Sequence, residues 1–96
     1  MSDTKIRLEV IRNRINEIDE QIIELMAERT HFAKEIALLK KALDMPIYDN
    51  KREQEIYEKT RKLCEKYDFD HNVALQIMDI LIKHNKELQM KEFNKL

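Results

Sequence analysis

The chain has no glycine, no tryptophan, one proline, one cysteine and one serine in 96 residues. Each scarcity removes a class of chemistry. Without glycine, the tight turns of β-hairpins and the glycine-rich loops that cradle nucleotide phosphates are excluded in their usual form. The lone Cys64 precludes an intrachain disulfide and a CxxC metal or redox pair, and suits a reducing cytoplasm. It lies in a helical apolar stripe and is read as a packing residue. Ser2, near the start, is no candidate nucleophile. The histidines, His31, His71 and His84, lack metal-ligand spacing, so no metal is expected. Acidic and basic residues are interspersed and nearly balanced at a net charge of −1, which leaves no footprint for nucleic acid or an anionic membrane. No apolar stretch suggests export or membrane insertion.

What is present is helical. With 43% apolar and 39% charged residues and almost no turn chemistry, the composition is that of one all-α domain over residues 1–96. From Leu8, alternating steps of three and four residues reach Ile11, Ile15, Ile18, Ile22, Leu25, Arg29, Phe32, Ile36, Leu39 and Leu43. Arg29 is the one charged residue on this seam. An unbroken helix over Leu8 to Leu43 would be about 54 Å long, whereas a compact chain of this length has a radius of gyration of about 12–13 Å. One chain cannot cover such a seam, so a homodimer of paired long helices, antiparallel about a two-fold axis, is expected.

Met1 to Thr4 read as a frayed end, with Ser2, Asp3 or Thr4 available as N-cap. Pro46 ends the long helix. A second helix starts at Asp49 or Asn50, with Glu53 placed to complete a capping box with Asn50. Asp70 caps a third helix that reaches about Phe93. The expected architecture is one long, one short and one medium helix, intertwined with a second copy.

Each helix carries polar residues on its inward face: Arg29 and Lys40 on the first, Arg52 and Glu53 on the second, Asn85 and Gln89 on the third. Burying such groups is unfavourable unless they find partners. Structural ion pairs, such as Arg29 with a glutamate or Arg52 with Asp49, are the plain alternative. Taken together, however, Arg29, Lys40 and Arg52 face mainly Glu53, and surplus inward cations call for an anionic ligand. Arginine and lysine at this spacing suit a small molecule with two carboxylates.

The pieces Ile11-Arg12-Asn13-Arg14-Ile15 with Ile18-Asp19, Leu25-Met26-Ala27-Glu28-Arg29, Lys40, Pro46-Ile47-Tyr48-Asp49, Arg52-Glu53, and Asn85 with Gln89 resemble, in order and spacing, the all-helical class of chorismate mutases. The resemblance spans about Ile6 to Gln89. It implies an intertwined dimer that converts chorismate to prephenate without a cofactor, in the shikimate pathway towards phenylalanine and tyrosine. It implies that Arg29 binds a substrate carboxylate, with Arg12 from the partner chain on the other end of the dianion. Lys40 and Gln89 would donate to the ether oxygen from opposite sides, and Glu53 would accept from the ring hydroxyl. Asp49 and Arg52 would shape that end of the pocket, and Asn85, where some relatives have serine, would support a carboxylate.

Geometry agrees on Arg12. Seventeen residues separate it from Arg29, about 25 Å along one helix, so both reach one small molecule only if Arg12 arrives from a neighbour. Two other readings stand beside this one: an isochorismate pyruvate lyase of the same fold, and a non-enzymatic helical dimerisation module serving a larger enzyme. No fused dehydratase, dehydrogenase or amino-acid-sensing domain is expected in the chain.

Overall fold

The computed structural model describes residues 2–95, which form three α-helices and no strand: α1 (Asp3–Ala42), α2 (Asn50–Tyr67) and α3 (His71–Phe93). The helix starts follow from short polar side chains that accept from otherwise unbonded backbone N–H groups. Ser2 accepts from the Lys5 amide at 3.3 Å, Asp49 from Arg52 at 3.0 Å and Asp70 from Val73 at 3.1 Å. Asp3 and Thr4, expected to fray, are already helical; Met1 lies outside the described residues.

At the end of α1 the amide of Met45 bonds the Lys40 carbonyl and that of Asp44 bonds the Lys41 carbonyl, a Schellman closure that needs a left-handed residue between them. Glycine normally fills that position. Here Asp44, at φ 55°, fills it, and Asp68, at φ 52°, does the same at the end of α2. Aspartate tolerates the left-handed region at a cost that glycine avoids. Asp68→Gly is therefore expected to stabilise the fold by about 0.5–1 kcal/mol, the relief of strain exceeding the added entropy of the unfolded chain. Chemical denaturation measures it; an unchanged or lower midpoint would contradict the strain argument.

α3 is the central element, packing against both α1 and α2. It runs antiparallel to α2, as the inter-helix bonds show: the Tyr57 hydroxyl donates to Asp79 at 3.0 Å, and Lys86 meets Glu53 further along. Its far end finishes beside the end of α1, where Lys40 donates to Gln89 and Lys41 donates to the Phe93 carbonyl. The interior is small. Its buried apolar residues are Ala33, Ala37, Cys64 and Ile82, accompanied by Thr60 and Gln89. Ala33 and Ala37, one turn apart, form the flat face on which α3 approaches α1.

The long seam plays no part in that interior. Each of its apolar positions is exposed, from 36% at Ile36 to 68% at Leu43. Every residue from Ser2 to Leu25 is exposed, so the first half of α1 extends beyond the packed end. The shape follows: extents of 63 × 29 × 15 Å and a radius of gyration of 18.2 Å, against the ~12–13 Å of a compact chain. Among the described residues no helix is long and apolar enough to cross a membrane.

Candidate active site

The packed end forms an open-mouthed cavity of about 610 Å³, within the range of small-molecule sites. Apolar walls come from Ile36 and Leu39 of α1, Ile56 of α2 and Ile82 of α3. The polar heads that converge on it come from all three helices. Arg29 and Lys40 lie on α1, three turns apart and on nearly one face. Asp49 caps α2, and Arg52 and Glu53 stand in its first turn. Asn85 and Gln89 share a face of α3 as an i, i+4 pair. All seven line the same cavity.

Lys40 is held from two sides. Its ammonium donates to the Ile47 carbonyl at 2.7 Å and to Gln89 Oε1 at 2.9 Å. Gln89, only 4% exposed, passes the chain on by donating from Nε2 to Asn85 Oδ1. An ammonium has three N–H donors and a primary amide two. Among the described residues two of the Lys40 donors and one of the Gln89 donors are used, which leaves one N–H on each group. Burial pushes the Lys40 pKa below the usual lysine value, with Lys86 adding to that push and the Asp49 and Glu53 carboxylates opposing it.

Arg29 has no ion-pair partner among the described residues. Burial lowers its pKa, and the Arg52 guanidinium lowers it further. Two guanidiniums repelling each other beside one cavity, with no carboxylate among the described residues paired to Arg29, favour an anionic ligand there.

Three expectations need correction. Arg52 lies at the rim rather than fully inward, with an exposed side chain 3.6 Å from Glu55 one turn on. The capping box of Asn50 with Glu53 does not form: Asp49 takes the cap, and Glu53 reaches α3 instead, where Lys86 Nζ lies 3.3 Å from both its oxygens. Lys86 was also absent from the expected inward set. Its signal was its spacing, four residues after Ile82 and three before Gln89, both buried. Arg12 is the one expected residue that the chain does not bring to the cavity. It sits on the extended half of α1, exposed and paired with Glu9 at 3.3 Å.

The family model for chorismate mutase type II matches residues 11–90 of this chain. The chain belongs to that family. A chorismate mutase from Methanocaldococcus jannaschii is 47% identical over 83 residues, 86% of this chain and 84% of that protein. Among solved structures, the chain is similar to a monomeric chorismate mutase from Methanococcus jannaschii, determined by NMR, with a TM-score of 0.71 and 40% identity over 92% of each chain. It is also similar to a conserved hypothetical protein from Pyrococcus furiosus, with a TM-score of 0.68 and 30% identity over 93% of this chain and 99% of that one. The substrate that names the family, chorismate, is a compact dicarboxylate with one ring hydroxyl and one ether oxygen, a chemistry that the charges around the cavity suit.

Proposed function

We propose that the chain acts as one helical domain that rearranges chorismate to prephenate, on the way to phenylalanine and tyrosine, in a cavity completed by a second copy of itself. The observation that carries this is the trio of unspent cationic or amide donors, on Arg29, Lys40 and Gln89, around one hollow. The reaction breaks a carbon-oxygen bond and forms a carbon-carbon bond within one molecule, so it needs neither a base nor a nucleophile. The protein's task is to hold the compact conformer and to stabilise negative charge growing on the ether oxygen.

In this reading Arg29 grips a carboxylate. The free N–H groups of Lys40 and Gln89 meet the ether oxygen, Glu53 accepts from the ring hydroxyl, Asp49 and Arg52 bound that end, and Asn85 fixes the Gln89 amide and supports a carboxylate. The partner's Arg12 supplies the second carboxylate clamp.

What supports pairing is surface. A compact monomer of 11.7 kDa exposes about 5,900 Å², whereas this chain exposes 8028 Å². The excess, about 2,000 Å² per chain, matches what subunits of obligate dimers bury. A second apolar groove, floored by Leu63, Tyr67, Ile77 and Met78 and adjoining the first cavity at Arg29 and Ile56, adds a further face for a partner to cover. We place the protein in the cytoplasm, where the buried free thiol of Cys64 stays reduced.

The test is loss of chorismate absorbance with prephenate as product, run against isochorismate as a control. Turnover of chorismate without salicylate from isochorismate is expected; salicylate would transfer the site to the lyase reaction. The pH profile adds a sharper check. Gln89 does not ionise, so activity should vary little from about pH 5 to 8. Lys40 must be protonated to donate, and its pKa is lowered from 10.5, foremost by burial. The alkaline limb of kcat/KM, which reports the free enzyme, should therefore fall below the ordinary lysine range. Bound dianion favours the charged form, so the limb of kcat should lie at higher pH. An alkaline limb that survives Lys40→Arg would assign it to another group.

A further inference from the structure

Of the ion pairs among the described residues, the pair between Lys86 and Glu53 is the one that joins two helices; the others link residues three or four apart along the chain. It is also sheltered, with side-chain exposures of 30% for Lys86 and 16% for Glu53. Lys86 Nζ stands at 3.3 Å from both Glu53 oxygens, a bifurcated contact that holds the carboxylate in place. An ionised carboxylate has about four lone-pair positions, so acceptor capacity remains for another donor in the cavity. The same ammonium lies 5.2 Å from the centre of the Tyr48 ring, within cation–π range. Tyr48 follows Ile47, whose carbonyl receives Lys40. Lys86 thus ties the α1–α2 linker and the first turn of α2 to α3.

Glu53 has no other structural duty in that turn, because Asp49 already caps the helix. We propose that Lys86 is a positioning residue for the rearrangement: by clamping Glu53 it aims the carboxylate that receives the substrate's ring hydroxyl. This rests on the mutase reading. Lys86 acts through Glu53, so its effect depends on Glu53 being present, whereas a cation that touched substrate directly would contribute with or without that carboxylate.

The experiment is a double-mutant cycle on kcat and KM with chorismate, using wild type, Lys86→Met, Glu53→Gln and the double variant, with circular dichroism on each. Misplacing a substrate-holding group by 1 Å can cost up to about 100-fold, so Lys86→Met, which leaves Glu53 in place but unclamped, is expected to lose about 10-fold in kcat/KM. Lys86→Arg, which can restore a two-point hold, should recover to within about threefold of wild type. In the Glu53→Gln background Lys86→Met should cost less than about twofold, because the group it positions is already altered.

Equal losses from Lys86→Met in both backgrounds, wild-type kinetics for Lys86→Met, or no recovery with arginine would each overturn the inference while leaving the mutase reading intact. Wild-type protein inert towards chorismate would overturn both. Should Lys86→Met not fold, Lys86→Gln, which keeps a donor but not the charge, runs the same cycle against the same criteria.

Discussion

Lys40→Ala is expected to lower kcat by at least about 10²–10³-fold, equivalent to roughly 3–4 kcal/mol of transition-state stabilisation. The ammonium is pre-aimed by the Ile47 carbonyl and Gln89. It is partly desolvated, as its lowered pKa reflects. A donor in such surroundings interacts more strongly with developing charge than it would in water, and it requires no reorganisation as the carbon-oxygen bond breaks. The variant also loses two internal bonds, worth about 1 kcal/mol each to the fold, so melting must be measured beside turnover. The account predicts a folded protein with a modestly lower midpoint and a collapse in rate. Normal activity would remove Lys40, and with it the ether-oxygen site, from the mechanism.

Arg12→Ala is expected to cost at least about 30-fold in kcat/KM, the loss of about 2 kcal/mol that follows truncation of one partner in a sheltered charge pair. Nothing within its own chain foretells such an effect. Arg12 is exposed, and among the described residues its one ion pair is with Glu9, three residues away on the same helix, an arrangement worth at most a few tenths of a kcal/mol. A large kinetic effect from so peripheral a residue therefore requires a second subunit that carries Arg12 into the first subunit's cavity. A solved chorismate mutase to which this chain is similar is described as monomeric, and Arg12→Ala separates the two arrangements. If the chain works alone, Arg12→Ala is silent.

Much of this is legible in the sequence itself. Helix ends were readable where a local rule acts alone: Pro46 stops α1, and Asp70 starts an α3 that does end at Phe93. The seam was readable too, because its period needs no knowledge of neighbours, and its exposure agrees with the argument that one chain cannot cover it. What could not be read was competition between partners. Glu53 had a local option in the capping box and a distant one in Lys86, and the distant one prevails once Asp49 occupies the cap. Lys86 carries no mark of its own in the sequence, because its shelter is created by α2 and Tyr48 rather than by its own helix.

The small residues told the opposite story. Ala33 and Ala37 carry little apolar weight, yet they are the most buried positions of α1, since close approach of α3 selects for size rather than hydrophobicity. Asn85 and Gln89 were legible as an i, i+4 polar pair on an inward face. That Gln89 would relay Lys40 to Asn85 depends on α1 and α3 ending side by side, a tertiary fact.

The most direct measurement mixes two inactive proteins. In a shared-site dimer, Arg12→Ala and Lys40→Ala damage opposite halves of each site, so exchanging subunits between them leaves one intact site in every heterodimer. Unfolding the variants together and refolding them should restore roughly a quarter of wild-type turnover, since random pairing makes half the dimers mixed and each mixed dimer has one good site of two. Sedimentation of wild type at micromolar concentration should give the dimer mass. Activity of the mixture no greater than the sum of its two parts, with a folded monomer in the centrifuge, would contradict the account.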